Sequence, residues 1–211
     1  MKTLLLKYFT PLHHKQAGSV PIQDSSIQGE VSLNDAVACR SCISFFATTC
    51  QHEVLKLDTE NKLIAIINIE NFLDNFNDIQ GRRCDYLMYD ADKLMLADMT
   101  CSMEEYLSPH LVDGLPQQGK RLVARTQIEH TLEILTAEPS ILSYINNKEK
   151  KVGLLAYRAK DEDLFQNVPK QIEKTTNVWL LLEEDFERRS LSFPMSHGFT
   201  FETIKYTNVY T

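Results

Sequence analysis

The chain has 211 residues, of which 43% are hydrophobic and 24% are charged, so it carries enough apolar material for one core and is expected to form a single globular domain with elaborations. Its formal net charge of −7 argues against a domain that holds nucleic acid mainly through counterion release, because such domains usually present a basic face. Local basic clusters such as Arg82-Arg83, or contact through a partner, leave nucleic-acid binding open.

No apolar run approaches the roughly 18 residues that a spanning helix requires, so we expect no membrane span. Lys7 interrupts the N-terminal apolar run short of a secretory signal, and we expect no export. The five cysteines are an odd number in a chain too long to depend on disulfide staples, which favours a reducing compartment. The sequence therefore predicts a cytoplasmic protein.

Three regions follow one another along the chain. Residues 1–31 contain Pro11 and Pro21 among several Gly, Ser and Gln residues, a pattern typical of an extended or irregular arm that packs on another surface. Residues 32–160 are expected to form the core, and residues 161–211 an extension that packs on it.

The core shows alternating helical and strand patterns. The predicted elements are, in chain order, a helix from Ser32 or Asn34 to Thr49, strands at 54–58 and 63–69, a β-hairpin over 84–100, a helix at 120–135 and a strand at 152–157. A loop rich in Pro and Gly at 108–119 precedes the second helix. In the extension we expect a helix at 161–174 that is interrupted at Pro169, an apolar strand or a buried turn at 178–182, and a terminal strand at 199–206. These patterns predict an α/β fold.

The hairpin carries the clearest chemistry. Side chains on a strand alternate between faces, and a tight turn at Ala91-Asp92 fixes the register, so Leu87 is expected opposite Leu96 and Asp85 opposite Asp98. Directly paired residues have Cβ atoms roughly 4.5 to 5.5 Å apart, where two like charges are destabilising unless a cation or a proton lies between them. Carboxylate oxygens at that spacing suit Mg²⁺ or Mn²⁺.

The run GRRCDYLMYDADKLMLADMT, followed by a helix that contains Gln127 and by the strand VGLLAY, resembles the core of the PD-(D/E)XK, or restriction-endonuclease-like, nucleases. The resemblance covers about residues 33–158 and implies an order of helix, strand, hairpin, helix and strand. It also implies that Asp85 and Asp98 bind a divalent metal ion, and that a lysine two residues after the second carboxylate orients and activates the attacking water.

Thr100 occupies that lysine position and departs from the family pattern. A threonine hydroxyl does not supply the positive charge that holds a deprotonated water or offsets charge on the phosphate. In variants of this fold the lysine role moves to the neighbouring helix, so Lys120, Arg121 and Arg125 are candidates. Glu70, just after the preceding strand, is a candidate third carboxylate.

A second group of metal-capable residues lies in the first predicted helix: Cys39, Cys42, Cys50 and His52. Cys39 and Cys42 share one helical face, as zinc ligands often do. The spacing lacks the paired knuckles of a strong zinc site, and buried cysteines commonly act as small apolar residues. A zinc-stabilised interaction module stays open as a minor alternative.

Two main functions remain. Because the lysine of the family pattern is missing, the resemblance favours a non-catalytic or partner-dependent accessory or scaffold subunit, and the usual context of the family implies a bacterial nucleic-acid-processing or phage-defence assembly. In that role a protein partner or a homo-oligomer is expected. The alternative is a Mg²⁺-dependent nuclease acting on DNA or RNA, in which Asp85 and Asp98 hold the metal and a basic residue of the second helix replaces the lysine.

Overall fold

The computed structural model describes residues 1–34, 53–102, 104–112, 115–159, 186–205 and 208–210. Within them the protein is a mixed α/β fold built on a central mixed sheet.

The central sheet has six strands in the order β1-β4-β5-β6-β9-β10. Their ranges are β1 Asp24–Ile27, β4 Ile64–Asn68, β5 Tyr86–Tyr89, β6 Lys93–Ser102, β9 Lys150–Ala159 and β10 Thr200–Lys205. The strands from β1 to β6 pair antiparallel, whereas β9 is parallel to β6 and β10 is parallel to β9. The connection from β6 to β9 must therefore cross the sheet, and a long helix makes that crossing.

A smaller sheet has the order β11-β3-β2, with β2 Glu30–Asn34, β3 Glu53–Asp58 and β11 Val209–Tyr210. A separate short hairpin joins β7 His110–Val112 to β8 Leu115–Gln117. It lies inside the predicted loop at 108–119 and leads directly into the long helix.

The α-helices are α1 Lys2–Leu4, α2 Thr10–Leu12, α3 Ile69–Leu73, α4 Lys120–Thr136 and α5 Pro139–Asn146. A π-helical turn, Leu5–Phe9, joins α1 to α2, and 3₁₀ turns occur at Glu104–Leu107 and Ser196–Gly198. Residues 186–192 are also helical. No described helix is long and apolar enough to cross a membrane.

The two faces of the central sheet bury different side chains. Leu87, Leu94 and Leu96 belong to the core that includes Ile128 and Leu132 of α4. The alternating neighbours, such as Met88 and Met95, pack in a second core with residues of the smaller sheet. Period-two alternation thus places one face of the hairpin under α4 and the other against β3.

The hairpin turn is held by polar contacts. The Asp90 side chain accepts hydrogen bonds from the backbone N–H of Asp92 at 2.8 Å and of Lys93 at 2.6 Å. Lys148, only 7% exposed, donates from Nζ to the carbonyls of Asp90 at 2.6 Å and Ala91 at 2.7 Å. These contacts fix the two-residue turn that sets the hairpin register.

Most of the described predicted elements are confirmed. The strands predicted at 54–58, 63–69, 152–157 and 199–206 are found as β3, β4, β9 and β10, and the helix predicted at 120–135 as α4. The helix predicted to begin at Ser32 or Asn34 is wrong at its start, because both residues belong to β2. The remainder of that helix, and the elements predicted at 161–174 and 178–182, lie outside the described residues.

The extended arm predicted for residues 1–31 is wrong in its secondary structure. Residues 2–12 are helical, and Leu5 and Phe9 are fully buried in the same core as Phe72. The spacing of four between Leu5 and Phe9 puts both on one helical face. Pro11 does not end this segment: it follows the π-helical turn Leu5–Phe9, and the carbonyl of Leu6, one turn before it, accepts the N–H of Gly18 at 3.0 Å.

Because Phe9 is a buried core residue rather than part of a loose arm, we expect Phe9→Ala to lower the free energy of unfolding by about 3 to 5 kcal/mol. Urea unfolding followed by circular dichroism measures this. Leu12→Ala, at a residue of the same region that is 46% exposed, is the matched control and should change stability far less. Equal small effects of the two substitutions would contradict the packing of the N-terminal helix.

Candidate active site

The hairpin register brings two carboxylates together. Leu87 pairs with Leu96 and Tyr86 with Ala97, as the two-residue turn requires. One step further along the same register lie Asp85 and Asp98, on the face that α4 covers. Both are buried, with 5% and 9% of their surface exposed.

Asp85 is fixed by its backbone as well as by its side chain. Its N–H donates to the Ala97 carbonyl at 3.0 Å, and its own carbonyl accepts the N–H of Ile69 at 2.9 Å. Its Oδ2 accepts the N–H of Met99 at 2.7 Å. A backbone donor of β6 therefore helps to orient the carboxylate.

Glu70 reaches the same place through α3. Asn68 caps this helix, its Oδ1 accepting the N–H of Asn71 at 2.9 Å. The N–H of Glu70 points to the Asp85 carbonyl at 3.4 Å, so the first turn of α3 is attached to the hairpin at Asp85. Because α3 begins at the end of β4, its first acidic residue, Glu70, lies near the two aspartates.

A cavity of about 300 Å³ lies between these residues and the start of α4. Its polar lining consists of Glu70, Arg82, Asp85, Asp98, Thr100, Lys120 and Gln127. Three acidic side chains thus surround one recess together with two cations. Like charges held this close are stabilised by a bound cation or proton, and the all-oxygen donor set suits Mg²⁺ or Mn²⁺.

Burial and the charges of the same carboxylates affect the pKa of the Cys84 thiol. The side chain is fully buried, and burial raises the pKa of the thiol well above its ordinary value, with the charges of Asp98, Asp85 and Glu70 adding to the effect. A hydrogen bond between the Cys84 side chain and Thr131 lowers the pKa of the thiol and so acts in the opposite direction. Cys84 is therefore a neutral core residue beneath the site and not a nucleophile.

Of the three cations considered on the second helix, Lys120 lines the cavity and the other two are used elsewhere. Arg121 donates to the Ser108 hydroxyl at 3.1 Å and lines a different cavity. Arg125 donates to the carbonyls of Phe193 at 3.0 Å and Pro194 at 3.4 Å. Neighbouring helix positions point about 100° apart, so the three side chains leave α4 in different directions.

The sequence indicated Arg82 only as part of a basic cluster, not as a residue of this cavity, and Gln127 only as part of the second predicted helix. Lys120, Val123 and Gln127 follow a spacing of three and four residues, which puts them on one face of α4, and all three line the cavity. Gln127 is held there because its Nε2 donates to the Arg83 carbonyl at 3.2 Å. The helical spacing was visible in the sequence, but the face that points at the carboxylates was not.

Thr100 also lines the cavity, so the structure places it beside the acidic residues without changing the chemistry expected of a hydroxyl. The proposed zinc ligands Cys39, Cys42, Cys50 and His52 lie outside the described residues. Within the described ranges, no group of three or more His, Cys, Asp or Glu side chains already has the arrangement of a formed metal site.

Comparison of the chain with protein-family models, with curated proteins and with solved structures found no match.

If Asp85 and Asp98 repel each other, Asp98→Asn should raise the free energy of unfolding by about 1 kcal/mol in EDTA, because one of two adjacent buried charges is removed. The wild-type protein should gain thermal stability on addition of Mn²⁺, and the variant should not. Differential scanning calorimetry measures both quantities.

Asp92→Asn, in the exposed hairpin turn, is the matched control and should behave like the wild-type protein in both conditions. A loss of stability of Asp98→Asn in EDTA, with an unchanged response to Mn²⁺, would show that Asp98 is a structural residue and not a metal ligand.

Proposed function

We propose that the protein is a divalent-metal-dependent phosphodiesterase that acts on nucleic acid and has a PD-(D/E)XK-like core. The observation that carries the proposal is the presence of Lys120 in the same cavity as Glu70, Asp85 and Asp98. The missing lysine was the principal argument against catalysis, and a cation from the adjacent helix supplies the charge that Thr100 lacks.

The chain order of the elements supports the same core. From β4 the chain forms α3, the hairpin β5-β6, the short hairpin β7-β8, α4, α5 and β9, so it contains strand, hairpin, helix and strand in the order that the resemblance implies. The carboxylates lie on the hairpin, on the face covered by α4. Of the predicted first helix of that core, Ser32 and Asn34 belong to β2, and residues 35–49 lie outside the described part of the chain.

The acidic residues fit a divalent metal ion. Asp85 and Asp98 offer carboxylate oxygens on neighbouring strands, and Glu70 approaches from α3. When bound, Mg²⁺ or Mn²⁺ supplies Lewis-acid stabilisation of charge on a phosphoryl oxygen and lowers the pKa of a coordinated water.

Lys120 provides a positive charge opposite the carboxylates. As the first residue of α4, it is exposed at the mouth of the cavity, where its ammonium group can approach a phosphate. The amino terminus of a helix also carries partial positive charge, which adds to this effect. Lys120 is thus suited to bind the anionic substrate and to stabilise negative charge that develops on it.

A second candidate function rests on Thr100. A protein that keeps the carboxylates but has lost the lysine from β6 fits a non-catalytic or partner-dependent accessory subunit of a bacterial nucleic-acid-processing or defence assembly. In this function the acidic cavity is a remnant or a metal-stabilised structural site. Activity measurements distinguish the two functions.

We expect the wild-type protein to cleave single-stranded or plasmid DNA, or RNA, in Mg²⁺ or Mn²⁺, and to lose activity in EDTA. Lys120→Ala should lower the rate about 100-fold, because it removes a charge that stabilises the transition state. Asp98→Asn should abolish detectable cleavage. Gel-based cleavage of labelled substrates measures these rates.

Lys150→Ala, which removes an exposed lysine at the far end of β9, is the matched control and should retain full activity. Absence of cleavage by the wild-type protein with every substrate and metal would support the accessory function. Cleavage that survives in Asp98→Asn would indicate a contaminating nuclease and refute the assignment of the site.

A further inference from the structure

A second cavity of about 500 Å³ continues from the carboxylate cavity along α4. The two share Arg82, Val123 and Gln127. The two cavities are therefore neighbours, with the carboxylates in the first and the outer face of α4 along the second. The second cavity is called the α4 groove below.

The walls of the α4 groove are fixed by the contact between residues 80–82 and α4. The Gln80 carbonyl lies 2.7 Å from Nε2 of His130. Gly81 has φ +93°, and a Cβ at this position would lie 2.8 Å from the same ring nitrogen. Only glycine allows this close approach together with a positive φ, so this wall of the groove requires glycine at position 81.

Arg82 lies where the two cavities meet. Its side chain is exposed, and within the described ranges its guanidinium makes no ion pair, whereas the neighbouring Arg83 is paired with Asp74. A guanidinium in this position matches a phosphate group of a ligand that extends from one cavity into the other. Lys120 provides the second cation, at the carboxylate end.

The α4 groove is also acidic. Gln118, Thr126 and Gln127 contribute amides and a hydroxyl, and Glu129 and Glu133 contribute carboxylates. The Glu129 carboxylate accepts hydrogen bonds from the N–H and the hydroxyl of Ser196, and Glu133 lies beside His130. Such a lining repels further phosphates but can accept hydrogen bonds from the amino groups of a nucleobase. The aliphatic surface of Val123 offers an apolar contact to the base.

We infer that the α4 groove binds the nucleoside attached to the target phosphate, that Arg82 contacts this phosphate where the two cavities meet, and that the ligand is single-stranded nucleic acid. This inference rests on the proposed function. A base lies in such a groove only when it is unstacked and unpaired, as in a single strand. A duplex would need a broader basic surface than Arg82 and Lys120 provide beside Glu129 and Glu133.

The test measures binding separately from cleavage. Fluorescence anisotropy with a short labelled oligonucleotide, in Ca²⁺ to suppress turnover, gives Kd for the single strand, for the duplex of the same sequence and for an abasic strand with the same phosphates. We expect the single strand to bind at least about tenfold more tightly than either of the others, because only it offers an unpaired base.

Arg82→Ala should weaken single-strand binding about tenfold and lower the slope of log K against log salt by about 0.7, the value for one lost phosphate contact. Arg82→Lys should restore part of the affinity. Lys62→Ala removes an exposed lysine at the opposite end of β4 from Glu70 and is the charge-matched control, with no comparable change expected.

Equal affinity for the abasic strand, equal affinity for the duplex, or the same result for Arg82→Ala and Lys62→Ala would each overturn the inference. Arg82-dependent binding of single strands without any cleavage would uphold the inference and refute the proposed phosphodiesterase. Cleavage that does not depend on Arg82 or on an unpaired base would refute the inference and uphold the proposed phosphodiesterase.

Discussion

The backbone and side chain of Asp85 connect three segments of the protein, and the geometry of the site depends on these contacts. The N–H of Asp85 donates to Ala97, its carbonyl accepts the N–H of Ile69, and its Oδ2 accepts the N–H of Met99. The start of β5 is thereby attached both to β6 and to the first turn of α3. Because these hydrogen bonds hold the three segments together, the backbones at Glu70 and Asp98 have little freedom to move away from Asp85.

This arrangement has an energetic cost. Asp85 and Asp98 are buried next to each other on one sheet face, at the point where the apolar core under α4 ends. Leu87 and Leu96 are the nearest residues on the same face of the two strands. An apolar pair in place of Asp85 and Asp98 would therefore have extended the core. Proteins tolerate such destabilising pairs mainly where function needs them. Charge concentration at the beginning of α4 is the physical basis for the proposed phosphodiester chemistry.

Local chemistry determined how much of this site could be predicted from the sequence. A two-residue turn and period-two alternation were sufficient to pair Leu87 with Leu96 and so to place Asp85 beside Asp98. The identity of the cation was not predictable, because Lys120, Arg121 and Arg125 differ only in which way α4 is rotated against the sheet. Arg82 was visible only as part of a basic cluster, because it precedes β5 and its position at the cavity depends on how the chain before the hairpin packs on α4. The N-terminal helix was missed because Pro11 and Pro21 among Gly, Ser and Gln residues were interpreted as the pattern of an irregular arm, whereas residues 2–12 are helical.

The most direct test of the central claim is diffraction from crystals soaked in Mn²⁺, with data collected at the manganese absorption edge. The account predicts an anomalous peak between the carboxylates of Asp85 and Asp98, about 2.0 to 2.2 Å from at least one oxygen of each, and no such peak in crystals of Asp98→Asn. A fully occupied manganese ion elsewhere in the protein, with the two aspartates uncoordinated, would contradict it.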